Sequence, residues 1–284
     1  MTSHMEWVSE TWQDVEIRYR VRSVIYEDKS DFQHLQIVDT CQYGKMLLLD
    51  GIVQTTERDE FIYHEMMVHV PMLSHPEPKN ALIIGGGDGG ILREVLRHKS
   101  IEKATIVEID PMVIEFCKKY LPGISGGAFN DHRTELIIGD GAVYVDETKD
   151  RYDIIIIDSP DPVGPARVLF SEKFYSGIHR ILDSGGIMTR QTGSVNMQPD
   201  EQKEAYALLK GMFDHVLFYL YTVPTYIGGL FSTVFCSDSV NPPDIGYDEL
   251  SSRFKQASLK TLYYNPCIHR GAFCVPKFFQ ENLQ

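Results

Sequence analysis

The chain has 284 residues, 43% apolar and 24% charged, enough for one large domain or a large one with a small companion. A formal net charge of -13 argues against nucleic acid, whose phosphates need basic surface, and favours cationic ligands. Five cysteines without C-x-x-C spacing, no signal peptide, no apolar run of membrane length and no N-x-S/T sequon point to a reducing cytoplasm. Met1-Thr2-Ser3-His4, ahead of Met5, reads as a cloning remnant.

Residues 15–22 alternate strictly, with Val15, Ile17, Tyr19 and Val21 opposite Glu16, Arg18, Arg20 and Arg22. That is an amphipathic strand of an antiparallel sheet with one wet face. Gln33 to Val38 and Lys45 to Leu49 repeat shorter strand-like runs around the turn signal Gln42-Tyr43-Gly44. From Glu57 the pattern turns helical, through Phe61, Met66, Val70 and Met72, and stops at Pro76-Glu77-Pro78. The expected division is a β domain at 5–56, a helical bridge at 57–75 and a catalytic domain at 76–284.

Leu82-Ile83-Ile84 then runs into five glycines within six residues, Gly85 to Gly90, with Asp88 among them. Ile91, Leu92, Val95 and Leu96 follow at helical spacing, so the unit reads as strand, tight turn and helix. Three more strands follow: Thr105 to Glu108, Glu135 to Ile138, and Asp153 to Ile157. The four isoleucines of the last show no alternation, as suits a strand buried on both faces. Helices at 171–182 and 199–213 and strands at 186–190, 216–221 and 231–236 complete the pattern. The fold class is α/β: a Rossmann-like, doubly wound, mostly parallel sheet with a small N-terminal antiparallel β domain.

The chemistry gathers at one sheet edge. Each parallel strand ends in a carboxylate, Asp88, Glu108, Asp140 and Asp158, with Asp161 three residues on. Singly, each is as readily a helix cap; together they mark the edge at which open α/β sheets bind ligands. Glu108 follows Gly90 by 18 residues, the interval at which such an acid takes ribose hydroxyls. Asp140-Gly141 suggests a backbone approach to an adenine edge. Asp88 would repel a pyrophosphate from the glycine loop, which disfavours a nicotinamide dinucleotide. It would also repel the carboxylate of S-adenosylmethionine, the methyltransferase donor, but would attract the same nucleoside with a bare aminopropyl ammonium. Histidines and cysteines lack zinc spacing, His64-Glu65 does not extend to H-E-x-x-H, and no G-x-S-x-G elbow occurs. No metal site is expected, and the cysteines in Phe116-Cys117, Phe235-Cys236 and Phe273-Cys274 read as core residues.

From about Trp7 to about Phe279 the chain resembles the polyamine aminopropyltransferases. The likeness is carried by Leu48-Leu49-Asp50-Gly51, by the stretch Glu57 to Met66, by Gly85 to Gly90, Gly139-Asp140-Gly141 and Asp158 to Ala166, and by Val223-Pro224-Thr225-Tyr226. The resemblance implies transfer of an aminopropyl group from decarboxylated S-adenosylmethionine, a co-substrate, to putrescine, in a cytoplasmic homodimer or homotetramer with no other cofactor. It implies that Asp158 is the catalytic acid–base and that Asp161 binds polyamine. Asp88, Tyr63 and His64 would hold the aminopropyl side, with Tyr226 on the acceptor side. Glu108 would bind the ribose, Asp140 and Gly141 the adenine, and Gln33, Gln54 and Pro165 other parts of the nucleoside. After Gln191 the chain reads Thr192-Gly193-Ser194-Val195-Asn196-Met197, where many relatives place an aromatic or acidic residue on the acceptor pocket. This departure leaves cadaverine, agmatine and spermidine as alternative acceptors. A small-molecule methyltransferase and an inactive structural relative are the remaining alternatives; Asp88 disfavours the first and the full set of strand-end acids the second.

Overall fold

The computed structural model describes residues 6–159 and 171–283. Five antiparallel strands open the chain: β1 (Glu6–Trp12), β2 (Val15–Lys29), β3 (His34–Thr40), β4 (Gly44–Leu49) and β5 (Ile52–Thr56), paired in sequence order. The alternation that predicts a strand at 15–22 continues to Lys29, with register shifts against β3 on the way. Tyr19 and Val21 are buried while Arg18, Arg20 and Arg22 are exposed, so one face is wet. β1 folds back beside β5, where the Val53 amide donates to Glu10 Oε1 at 3.3 Å.

Helix α1 (Glu60–Ser74) follows, and every residue from Ile62 to Ser74 is buried. A helix that is apolar on most sides belongs inside a core, and α1 packs on the larger sheet, beside α2 and α8. It ends where His75 turns extended ahead of Pro76.

The larger sheet is built from β6 (Asn80–Gly85), β7 (Lys103–Glu108), β8 (Thr134–Ile138), β9 (Tyr152–Asp158), β10 (Leu182–Ser194), β11 (His215–Thr222) and β12 (Leu230–Ser237). Between them run α2 (Gly90–Leu96), α3 (Pro111–Tyr120), α4 (Pro122–Ser125), α5 (Gly141–Glu147), α6 (Glu172–Ile181) and α7 (Pro199–Leu209). Three terminal helices, α8 (Tyr247–Ala257), α9 (Pro266–Ala272) and α10 (Lys277–Asn282), are absent from the sequence reading. The spatial order is β11-β12-β10-β9-β6-β7-β8, parallel from β10 to β8 and closed by an antiparallel β11–β12 edge. Ile154 to Ile157 are all 0% exposed, each contributing on the order of 2 kcal/mol by burial. Cys117 and Cys236 are core residues as expected; Cys274 is exposed, because it lies at the end of the short α9 on the surface. Among the described residues no helix is long and apolar enough to cross a membrane.

The strand order fixes where a ligand can sit. β7 and β8 lie to one side of β6 while β9 and β10 lie to the other, so the direction of winding reverses between β6 and β9. Gly85 and Asp158 are register partners at the carboxyl ends of those two strands. A crevice at such a switch point is the binding place of doubly wound folds.

Candidate active site

The glycine loop is shaped by close approach. Gly85 and Gly86 have φ of +83° and +69°, and a Cβ on Gly85 would collide with the Asp158 carbonyl oxygen. A Cβ on Gly87 would lie 2.9 Å from Glu108 Oε2, and one on Gly90 would strike the His64 ring. These glycines let the turn nest between two strand-end acids and α1. Asp88 at its crest accepts from the Gly90 amide at 2.8 Å through Oδ1, while Oδ2 lies 3.3 Å from His64 Nε2. A carboxylate has about four lone-pair directions, so the remaining ones are left for the cavity that Asp88 lines.

The other strand-end acids differ in their surroundings. Glu108 is 8% exposed and its Oε1 accepts from the Asp110 amide at 2.9 Å; burial pushes its carboxyl up to about 7. Asp158 is pushed up to about 6, first by burial and then by the Asp88 charge, against the Tyr63 hydroxyl that donates to its Oδ1 and the nearby His64. Asp140 is exposed and caps α5, accepting from the Ala142 amide at 2.7 Å. For His64, burial pulls the imidazole down, but Asp88 and Glu60 outweigh it and raise the ring to about 10. Asp88 itself is held below the ordinary carboxylate range, the His64 cation overcoming burial.

One cavity of about 500 Å³ joins these groups. It is lined by Gln33, Gln54, Tyr63, His64, Asp88, Glu108, Asp140, Gly141, Asp158 and Tyr226, every expected site residue that is described. Asp161 and Pro165 lie outside the described residues. Gln33 is oriented by its amide donating to Asp110 Oδ2 at 2.9 Å, and the Tyr226 hydroxyl donates to the Gln54 carbonyl at 2.7 Å. The turn carrying Tyr226 is fastened by Asp59, whose Oδ2 accepts from the Thr225 amide at 3.0 Å and hydroxyl at 2.8 Å.

The structure also brings in residues that the sequence reading missed. Glu10 and Trp12 of β1 reach the cavity from the N-terminal sheet, and Gln191, Ser194, Gln198 and Phe231 line the side facing Tyr226. Glu10 is 1% exposed, its Oε2 has no hydrogen-bond partner, and burial raises it to about 7. Trp12 Nε1 is likewise buried without a partner. A signal was present: Glu10 alternates in phase with Val8 and Trp12, an acid on the apolar side of a strand. Gln191 Nε2 donates to the Ser159 carbonyl at 2.9 Å, and Gln198 Oε1 accepts from the Ser194 amide at 2.9 Å, so the departing stretch after Gln191 is part of the wall.

The cavity therefore gathers four carboxylates, Glu108 and Glu10 buried and Asp88 and Asp158 half-buried. Such a lining suits an elongated ligand that joins a nucleoside to positive charges. Residues 60–244 match the spermine/spermidine synthase domain, and residues 6–57 match the spermidine synthase tetramerisation domain. The chain is 46% identical over 265 residues to a polyamine aminopropyltransferase of Erwinia tasmaniensis, covering 93% of each chain. It is 44% identical to one of Enterobacter sp. (strain 638), covering 100% of this chain and 98% of the relative. A crystal structure of a spermidine synthase in complex with the transition-state analogue AdoDATO superposes with a TM-score of 0.94 at 38% identity, over 100% of this chain and 97% of the other. The Thermotoga maritima spermidine synthase gives 0.92 at 39%, over 99% and 94%. On identity, coverage and fold together, the chain belongs to the spermine/spermidine synthase family of polyamine aminopropyltransferase enzymes.

Proposed function

We propose that the cavity binds decarboxylated S-adenosylmethionine and putrescine and yields spermidine and methylthioadenosine. The observation that carries this reading is the gathering of Asp88, Asp158, Glu108 and Glu10 around one cavity at the glycine loop. The putrescine nitrogen attacks the carbon next to the sulfonium as the carbon–sulfur bond breaks. The bond's electrons return to sulfur, a neutral thioether leaves, and the new ammonium gives up a proton. Glu108 takes the ribose hydroxyls, Asp140 and Gly141 the adenine edge, and Gln33, Gln54 and Pro165 other parts of the nucleoside. Asp88, Tyr63 and His64 hold the aminopropyl end; Asp158 meets the attacking nitrogen, with Asp161 and Tyr226 beside the diamine. Glu10 receives the far ammonium, which would give its orphaned oxygen a partner and make ionisation of that acid favourable. The unit at 5–56 would thus serve the substrate site as well as assembly into a homodimer or homotetramer. The bridge at 57–75 carries Tyr63 and His64, and the unit at 76–284 carries the nucleoside site, in a cytoplasmic enzyme.

The first test is the donor. Asp88 leaves no favourable place for an α-carboxylate, so turnover is expected with decarboxylated S-adenosylmethionine and essentially none with the intact compound. Purified protein is incubated with each donor and a panel of putrescine, cadaverine, agmatine and spermidine, and the products are separated by chromatography. Methyl transfer from the intact donor would overturn the reading. The best acceptor in the panel reports the length between Asp158 and Glu10.

Ribose binding gives a second expected result. A ribose diol donates two hydroxyl protons, so Glu108 must be ionised to accept both. Methylthioadenosine affinity should therefore be full above about pH 7 and fall as pH drops through that value, where Glu108 takes up its proton. Glu108→Gln should weaken the complex about tenfold or more at pH 8 and flatten the pH dependence. Calorimetric titrations from pH 5.5 to 8.5 read both; an unchanged affinity in the variant removes the ribose role.

A further inference from the structure

His64 is sandwiched between two carboxylates. Its Nδ1 lies 2.5 Å from Glu60 Oε2 and its Nε2 3.3 Å from Asp88 Oδ2, with the side chain 2% exposed. A neutral imidazole has one N–H, and here its lone pair would face a carboxylate oxygen. Only the doubly protonated ring suits both sides. Glu60 and His64 are four residues apart at the start of α1, one turn on the same face. Glu60 does not line the cavity, but its carboxylate is gripped by the Arg93 fork of α2: Nη1 to Oε1 at 2.9 Å and Nη2 to Oε2 at 2.8 Å. Arg93 is itself fixed by Glu94 Oε1 at 2.8 Å and the Ile124 carbonyl at 2.5 Å. The ring cannot move away, because Gly90 packs so closely on it that a Cβ there would strike it.

The charges alternate along this row: Asp88 negative, His64 positive, Glu60 negative, Arg93 positive. The other groups facing His64 are the Tyr63 ring of α1, edge-on at 5.5 Å between centroids, and the Asp158 carboxylate of β9. The row thus ends beside two acids that must act on cationic substrates, Asp88 and Asp158, which oppose each other's ionisation.

We propose that Glu60, held by Arg93, is a positioning residue that keeps His64 an imidazolium, so that this buried cation fixes the Asp88 carboxylate and offsets its charge at Asp158. Without Glu60, His64 would become neutral within the working pH range, Asp88 would lose one orienting partner, and Asp158 would hold its proton to higher pH. The kinetic consequence rests on the aminopropyl-transfer reading; the state of the histidine does not.

Glu60→Gln preserves size and removes the charge. In long-range proton–nitrogen NMR spectra of histidine-labelled enzyme, assigned with His64→Gln, the wild-type ring should stay doubly protonated at pH 8. In Glu60→Gln its midpoint should fall by about 1–3 units, the effect of removing one opposite charge at contact distance. The acid limb of kcat/KM for the donor should move to higher pH, with kcat/KM at pH 7 down about tenfold or more. Placed in a His64→Gln background, Glu60→Gln should change kcat/KM by less than about twofold, because the group it acts through is gone. If Glu60→Gln does not fold, Arg93→Lys keeps a charge but loses the fork, and should shift the His64 midpoint in the same direction. An unchanged His64 midpoint in the folded variant, or multiplicative kinetic losses in the double variant, overturns the inference. Failure of every donor and diamine with the wild-type enzyme would instead overturn the functional reading, and the NMR shift would still decide the role of Glu60.

Discussion

Asp158→Asn is expected to reduce turnover by about 10²–10³-fold, the range for losing one positioned charge-stabilising group. Nucleoside affinity should stay within about twofold, because asparagine keeps the shape of the side chain and the ribose hydroxyls are assigned to Glu108. In the displacement, positive charge moves from sulfur to nitrogen, and a carboxylate fixed at that nitrogen binds the transition state more strongly than the ground state. Tyr63 supplies the fixing, by donating its hydroxyl to Asp158 Oδ1. The pH profile separates the two roles an acid could play here. With its carboxyl raised to about 6, Asp158 must lose a proton before it can bind a cation, so at saturating donor, which holds Glu108 ionised, wild-type kcat/KM for the diamine should fall as pH drops through about 6. Activity should rise again towards about pH 9, since a free alkylamine near 10.4 supplies more neutral nucleophile there. The asparagine variant should lose the lower limb and keep the upper one. Steady-state rates from pH 5 to 9.5, with methylthioadenosine binding alongside, check this. A variant with near-normal turnover, or with the lower limb intact, would remove Asp158 from the reaction.

Glu65→Gln is expected to destabilise the fold by about 3 kcal/mol or more, with little change in the kinetics of the molecules that remain folded. Glu65 follows His64 on α1 but points away from the site and is 1% exposed. Its carboxylate accepts from three consecutive backbone amides, Leu262 at 2.8 Å, Tyr263 at 2.8 Å and Tyr264 at 2.7 Å. A glutamine offers one acceptor oxygen and turns an N–H₂ towards the remaining donors, so at least one of the three amides loses its partner. The segment after α8 would loosen from the core helix that carries Tyr63 and His64. Urea denaturation at pH 7.5 reads the loss, and a change below about 1 kcal/mol would show that the clamp is dispensable.

The parallel sheet was legible because burial on both faces leaves a signature that no surface can mask: Ile154 to Ile157 is apolar without a break. The acids at the carboxyl ends were legible for the same reason, since strand ends are plain once the strands are. The ten described residues singled out in the sequence line one cavity, but its N-terminal wall was hidden. Glu10 and Trp12 sit on a short strand whose alternation is blurred by Glu6 and by the exposed Trp7, and their meaning comes from β1 folding back beside β5, a long-range fact. The ion pair of Glu60 with Arg93 was hidden in another way, because a charged residue at a helix start reads as a solvated cap until a second helix is laid against it. The long β10 was shortened in the reading to 186–190, since the Gly185-Gly186 pair looks like a break but is carried within the strand.

The strand order carries a cost during synthesis. β6, β7 and β8 are complete by residue 138, yet β6 finds its second neighbour only when β9 begins at Tyr152, and β9 finds its own when β10 follows at Leu182. At about 5–20 residues per second, the edge formed by Ala81, Leu82, Ile83 and Ile84 stays open on the ribosome for several seconds. Those residues end 0–2% exposed in the finished protein, and until then they present an uncharged β template to any other nascent chain. Yield in overproducing cells should therefore be governed by how long that half-built sheet waits, which slower growth at low temperature and chaperone supply alter and mature stability does not.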